Sequence, residues 1–140
     1  MRVGRYFGRV AAALPLLLMP LACDRAQELR AQQSADGVLR ALAVVREAAN
    51  ENKAKALGGL AQAPCIGEGV CEVRDFCRAA YAVHVEGLTL TQAAKQQLRD
   101  GNALDAAKLL GPAQEKLEEA GRKVDACTER AGALKRRYKL

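Results

Sequence analysis

Tryptophan is absent from this chain, histidine occurs once, and aromatic residues fill only 4% of its 140 positions. A protein that holds single-stranded nucleic acid needs aromatic platforms for base stacking beside a clustered basic surface. Beyond residue 22 the aromatics are Phe76, Tyr81 and Tyr138 alone, and the composition therefore argues against nucleic acid. Proline is scarce as well: of four, only Pro64 and Pro112 lie beyond residue 20. No segment alternates apolar and polar residues as a half-buried strand would, which leaves helix as the main element. Catalytic signatures are also missing: there is no H-E-x-x-H, no G-x-S-x-G and no glycine-rich phosphate loop. His84 lies in Val83-His84-Val85-Glu86 and reads as a helix-surface or half-buried imidazole, since no nucleophile is placed beside it by the sequence. Glu118 and Glu119 are adjacent, diverge by about 100° on a helix, and read as a solvated face. The expectation is a protein that is not an enzyme and uses no cofactor.

What is present begins at the N-terminus. Residues 1–9 carry Arg2, Arg5 and Arg9 and no acid, and an apolar run follows from Val10 to Ala22. As a helix that run would rise about 20 Å, short of the ~30 Å hydrocarbon core of a bilayer. Pro15 and Pro20 interrupt it further. A basic stretch before a short apolar one is the layout of an export signal.

The run ends in Pro20-Leu21-Ala22-Cys23. This segment resembles the lipobox of bacterial lipoproteins, in which a small residue precedes a cysteine that becomes diacylated and then N-terminal. Ala22 and Cys23 occupy the matching positions, while Pro20 stands where that family has an aliphatic residue. The resemblance covers residues 1–24. It implies a palmitate-type anchor on Cys23 and a chain that faces the periplasm from a bacterial membrane. Asp24 directly follows the cysteine, and in enteric-type lipoproteins an acid there implies the inner membrane; inner against outer stays open.

Charge follows the ends of the chain. Removal of Arg2, Arg5 and Arg9 from 22 basic residues leaves 19 against 16 acidic ones, a net of +3. Lys135, Arg136, Arg137 and Lys139 more than account for that excess. These cations either complement a helix C-terminus or contact anionic headgroups or an acidic partner.

Residues 23–37 are polar, with Leu29 the only large aliphatic, and read as a spacer between the lipid and a domain at 38–140. A first helix is predicted over 37–60, on the stripe Val38, Leu42, Val45, Ala49, Ala56 and Leu60, ended by Gly58-Gly59 and Pro64. Gly67 and Gly69 make residues 65–71 a loop. A second helix runs over 72–86 with Phe76, Cys77, Ala80 and Val83 on one face, and Gly87 interrupts it. Thr89 and Gln92 have capping-box spacing for a third helix at 90–100 with Ala94 and Leu98 inward, closed by Gly101. Asn102 caps a fourth, which Pro112 should kink or end. Leu110, Ala113, Leu117, Ala120, Val124, Cys127, Ala131, Leu134 and Tyr138 nevertheless continue a seven-residue pattern across it. The fold class predicted is all-α, a small antiparallel bundle of three to four helices.

So alanine-rich a core buries little area per residue, and staples would help it. The chain has five cysteines, and lipidation of Cys23 leaves Cys65, Cys71, Cys77 and Cys127 to pair. Their spacings of six, six and fifty match no zinc motif, so no metal is expected. Cys71 and Cys77 on one helix would stand about 9 Å apart along its axis, beyond disulfide reach. If the chain folds back at Gly101-Asn102, Cys77 and Cys127 fall at the same height. The expected bridges are Cys65–Cys71 and Cys77–Cys127.

The resulting expectation is a membrane-anchored, non-enzymatic envelope lipoprotein, acting as a protein-interaction, accessory or assembly module on an envelope protein partner. The alternative is a helical bundle that holds a small molecule between its helices.

Overall fold

The computed structural model describes residues 19–140, with side chains from Asp24 onward. Residues 1–18, which hold most of the predicted export signal at 1–22, lie outside the described residues, as does the side chain of Cys23. Helix α1 spans Met19–Glu47, α2 Lys53–Gln62, α3 Val70–Arg99 and α4 Ala103–Arg137, with a 3-10 turn at Asn50–Asn52. No strand occurs among the described residues. Helices α3 and α4 form an antiparallel hairpin. Helix α1 lies antiparallel to α4: Gln32 Nε2 donates to the Tyr138 carbonyl (3.1 Å), and Arg46 Nη2 to Thr128 Oγ1 (3.2 Å). Helix α2 folds back along α1. The fold is an all-α antiparallel bundle of four helices, stapled by Cys65–Cys71 and Cys77–Cys127.

The core gathers at one end of this hairpin. Val38, Leu42 and Val45 of α1, Leu60 of α2 and Val70 of α3 are essentially inaccessible, and Cys77, Cys127, Ala131 and Leu134 close the cluster. Each fully buried Val or Leu stabilises by about 1.5–3 kcal/mol. Beyond Tyr81 the cluster stops and only α3 and α4 continue together. Along that stretch the buried positions are small and seven residues apart: Gly87 and Ala94 on α3, Ala106, Ala113 and Ala120 on α4. Small side chains let the two backbones approach closely. A Cβ on Gly87 would stand 2.8 Å from Leu117 Cγ and 3.3 Å from the Leu117 backbone nitrogen.

Several helix boundaries differ from the sequence expectation, each for a physical reason. The first helix ends at Glu47 instead of continuing to residue 60, and Ala49, placed on its apolar stripe, is exposed. The buried Lys53 ammonium donates to the carbonyls of Val45 (3.1 Å), Arg46 (3.2 Å) and Ala48 (2.9 Å), capping the end of α1. Gly58 and Gly59 lie inside α2 and do not end it. Helix α3 runs unbroken through Gly87. Thr89 and Thr91 hydroxyls bond back to the carbonyls of Val85 (2.9 Å) and Gly87 (2.8 Å), as threonines within a helix do, and cap nothing. Asn102 caps no helix by its side chain, whose Nδ2 donates to Gln97 Oε1 (3.0 Å). Gly101, at φ 81°, does close α3: the Gly101 and Asn102 amides reach back to Leu98 (3.2 Å) and Gln97 (2.8 Å).

Pro112 neither ends nor breaks α4. It costs one backbone hydrogen bond, but Ala106 and Ala113 on either side are buried against α3 and hold the helix in line. The inward expectation for Leu98 also differs, since that side chain is 54% exposed. The polar stretch 23–37 is part of α1. It is exposed from Asp24 to Arg30, and apolar burial begins at Ala31 and Ala35, before Val38. Every buried residue among the described ones lies between Ala31 and Leu134. Both bridges fall within that span.

Candidate functional site

The sequence singled out two features 110 residues apart, and α1 and α4 bring them to one end of the bundle. Tyr138, in the last turn, receives Gln32 Nε2 on its carbonyl and donates its hydroxyl to the Glu68 carbonyl at 3.1 Å. Arg137 forms an ion pair with the Glu68 carboxylate at 2.9 Å. Lys139 has φ 55°; its amide and that of Leu140 bond back to the carbonyls of Arg136 (3.3 Å) and Lys135 (3.0 Å). That closure returns Leu140 to the edge of the core. The basic C-terminal segment is therefore fixed in place against α1 and the 65–71 loop. Gly67 permits the close approach, since a Cβ there would meet Ala31 Cβ and the Tyr138 hydroxyl, both at 2.6 Å.

Cys23 lies nine residues before Gln32, about 13 Å along α1. Between them, the cleft of about 470 Å³ at the end of α4 is lined by Arg25, Glu28, Leu29, Gln32, Tyr138 and Lys139, among others. Lys135, Arg136 and Lys139 are exposed and form no ion pair among the described residues, whereas Arg137 is taken up by Glu68. Composition alone finds the cations; the anchoring roles of Gln32, Glu68 and Tyr138 have no sequence signal, because their contacts span 70 and 106 positions.

The other cysteines, polar groups and ion pairs lie along the body and the hairpin. Cys65–Cys71 closes the loop with a Cα separation of 4.8 Å, and Cys77–Cys127 ties α3 to α4 at 5.1 Å. In the chain-entropy picture they stabilise by roughly 2 and 4 kcal/mol. Ser34 supports the loop by donating to the Pro64 carbonyl and accepting the Ile66 amide, both at 2.7 Å. No group of three or more His, Cys, Asp or Glu among the described residues stands close enough to hold a metal ion. His84 is half-buried, and burial followed by the charge of Lys53 lowers its pKa below 6.5. Of the two adjacent carboxylates, Glu118 accepts from Gln114 (2.9 Å) and Glu119 pairs with Lys123 (2.6 Å), which lowers the Glu119 pKa. Across the hairpin Lys116 pairs with Glu86 at 3.0 Å, and Arg130 pairs with Glu72 at 2.7 Å while covering the Phe76 ring.

Two surfaces escaped the sequence reading. The outer part of the α3–α4 hairpin exposes Leu98, Leu104 (74%) and Leu110, and a groove of about 540 Å³ runs beside Leu110, Ala113 and Leu117. A second groove, of about 630 Å³, lies between α1 and α2 and is lined by Ala41, Val44, Ala48, Ala56, Gly59 and Leu60, among others. No helix among the described residues is long and apolar enough to cross a membrane. The chain matches no family model, no curated protein and no solved structure.

Proposed function

We propose that this chain is a lipoprotein of the bacterial envelope, anchored at Cys23, that acts without catalysis as an interaction, accessory or assembly module on another envelope protein. One observation carries the reading: the molecule is divided lengthwise. A stapled body lies beside the end from which α1 leads back to Cys23, and the α3–α4 arm reaches the other way. From Tyr81 to Gly101 the arm extends about 30 Å, bearing Leu98, Leu104 and Leu110 toward solvent. An anchor at one end and exposed leucines at the other suit a module that holds a partner away from the bilayer.

Photo-crosslinking groups placed at Leu98, Leu104 and Leu110 in cells test the reading. A reproducible adduct from the arm, with none from exposed body positions such as Arg78, is the expected result. No adduct from any arm position would remove the interaction role. For the anchor, incorporation of labelled palmitate that disappears in Cys23→Ser is expected; unchanged incorporation would remove Cys23 as its site.

The alternative of a small-molecule binder draws its support from the groove between α1 and α2. Its volume of about 630 Å³ is within the usual range for ligand sites. Val44→Glu would abolish binding of an apolar probe dye there while leaving arm crosslinks intact.

A further inference from the structure

We propose that the α1–α4 end of the bundle is a headgroup-binding face for anionic lipid, acting through Lys135, Arg136 and Lys139 together with Arg25. The orientation of this face toward a bilayer rests on the anchored reading above, but the binding itself belongs to these side chains. All four are exposed and none forms an ion pair among the described residues. The acidic side chains at this end include Asp24 and Glu28, while Glu68 is engaged by Arg137 and Glu72 by Arg130. Asp24 and Glu28 form no ion pair among the described residues and offset two of the four cations, so the face keeps a positive excess.

Three further observations favour a lipid surface. Leu29 and Ile66 are each 52% exposed at the same end, and cations flanking exposed aliphatics are the make-up of an interfacial surface. The cluster is also rigidly held, by the Tyr138 and Arg137 contacts to Glu68 and the Gln32 bond to Tyr138. Finally, distance suits it. With Cys23 at the bilayer surface, the end of α4 stands about 13 Å away along α1. A lysine or arginine side chain reaches several ångströms of that, leaving its charge within about one screening length, ~8 Å, of the headgroups. A modest tilt of α1 brings it into contact.

The test uses the chain from Asp24 to Leu140, which holds every buried residue described and both bridges and carries no acyl chain. Its partition onto vesicles of phosphatidylcholine alone is compared with vesicles containing one-third phosphatidylglycerol, at low and at half-molar salt. Binding to the anionic vesicles only, lost at high salt, is expected. Each cation near a charged surface is worth roughly fivefold in partition. The triple variant Lys135→Glu, Arg136→Glu, Lys139→Glu should therefore bind at least about a hundredfold less, with its disulfides and helix content intact. Lys135→Arg with Lys139→Arg should keep binding. Equal binding to neutral vesicles, no binding to either, or undiminished binding by the triple variant each overturns the proposal. Binding to polyglutamate with none to vesicles would assign the cluster to an acidic protein and overturn it too. Because no acyl chain is present, these outcomes are independent of palmitate incorporation at Cys23, which tests the anchored reading alone.

Discussion

The Lys53 ammonium donates a hydrogen bond to the Val45 carbonyl at 3.1 Å, and its two further bonds go to Arg46 and Ala48 at 3.2 and 2.9 Å. A single buried side chain thus occupies three carbonyls that the end of α1 would otherwise leave without partners. Lys53→Met keeps the aliphatic stem and removes all three donors. It should destabilise the fold by about 2 kcal/mol, read as a lower urea midpoint at unchanged slope. An unaltered midpoint would mean that water replaces the ammonium without cost.

Gly87 and Gly121 should respond to alanine in opposite directions. At Gly121 nothing lies within 4 Å of the added Cβ, and the helix-propensity gain of up to about 1 kcal/mol should appear as stabilisation. At Gly87 the Cβ meets Leu117, including its backbone nitrogen, so crowding of about 1–3 kcal/mol should outweigh that gain. Thermal melts of the two variants settle the pair.

The bridges should differ in worth. Replacing Cys77 and Cys127 together by alanine should cost about 4 kcal/mol, and replacing Cys65 and Cys71 about 2 kcal/mol, because the first closes the longer loop. Non-reducing peptide mapping should find these two pairs, and a Cys71–Cys127 peptide would contradict the register of the hairpin.

His84 should make stability depend on pH in one direction. Its folded pKa is lowered, first by burial and then by Lys53. The unfolded chain therefore takes up the proton more readily. The contribution is fully present above about 6.5, the ordinary value, and is lost as pH falls through the depressed folded pKa. Denaturation midpoints of His84→Gln between pH 5 and 8 should fall less on acidification than those of the unsubstituted chain.

Lys139 occupies a left-handed conformation, φ 55°, that glycine adopts more readily. Lys139→Gly should raise stability by roughly 0.5 kcal/mol while lowering binding to anionic vesicles. A variant that gains stability and loses binding separates the fold from the surface it carries.

Helix content, the hairpin turn at Gly101 and both disulfides were legible in the sequence because each depends on spacing along one or two helices. Cys77 and Cys127 needed only a rise per residue and a turn between them. Gly87 and Pro112 misled for a related reason: local propensity marks them as breaks, while packing of α3 on α4 supplies the missing energy. The end of α1 was not legible, since Lys53 acts on carbonyls several residues back and nothing in its identity announces a cap. Leu98 misled as well, because a place on the stripe does not bury a side chain where the hairpin has no third helix beside it.

By itself, then, the sequence determined an all-α chain, its pairing of four cysteines, a lipobox-like segment ending at Cys23 and a basic terminus at Lys135–Lys139. These follow from periodicity, spacing and composition, all of which act within a few turns of helix. The packing of whole helices brings Gln32 to Tyr138, which places the basic terminus on the side toward Cys23, and leaves the exposed leucines on the arm beyond the core. Those arrangements depend on contacts between residues about a hundred positions apart, set by which faces the helices bury, and no local pattern encodes them.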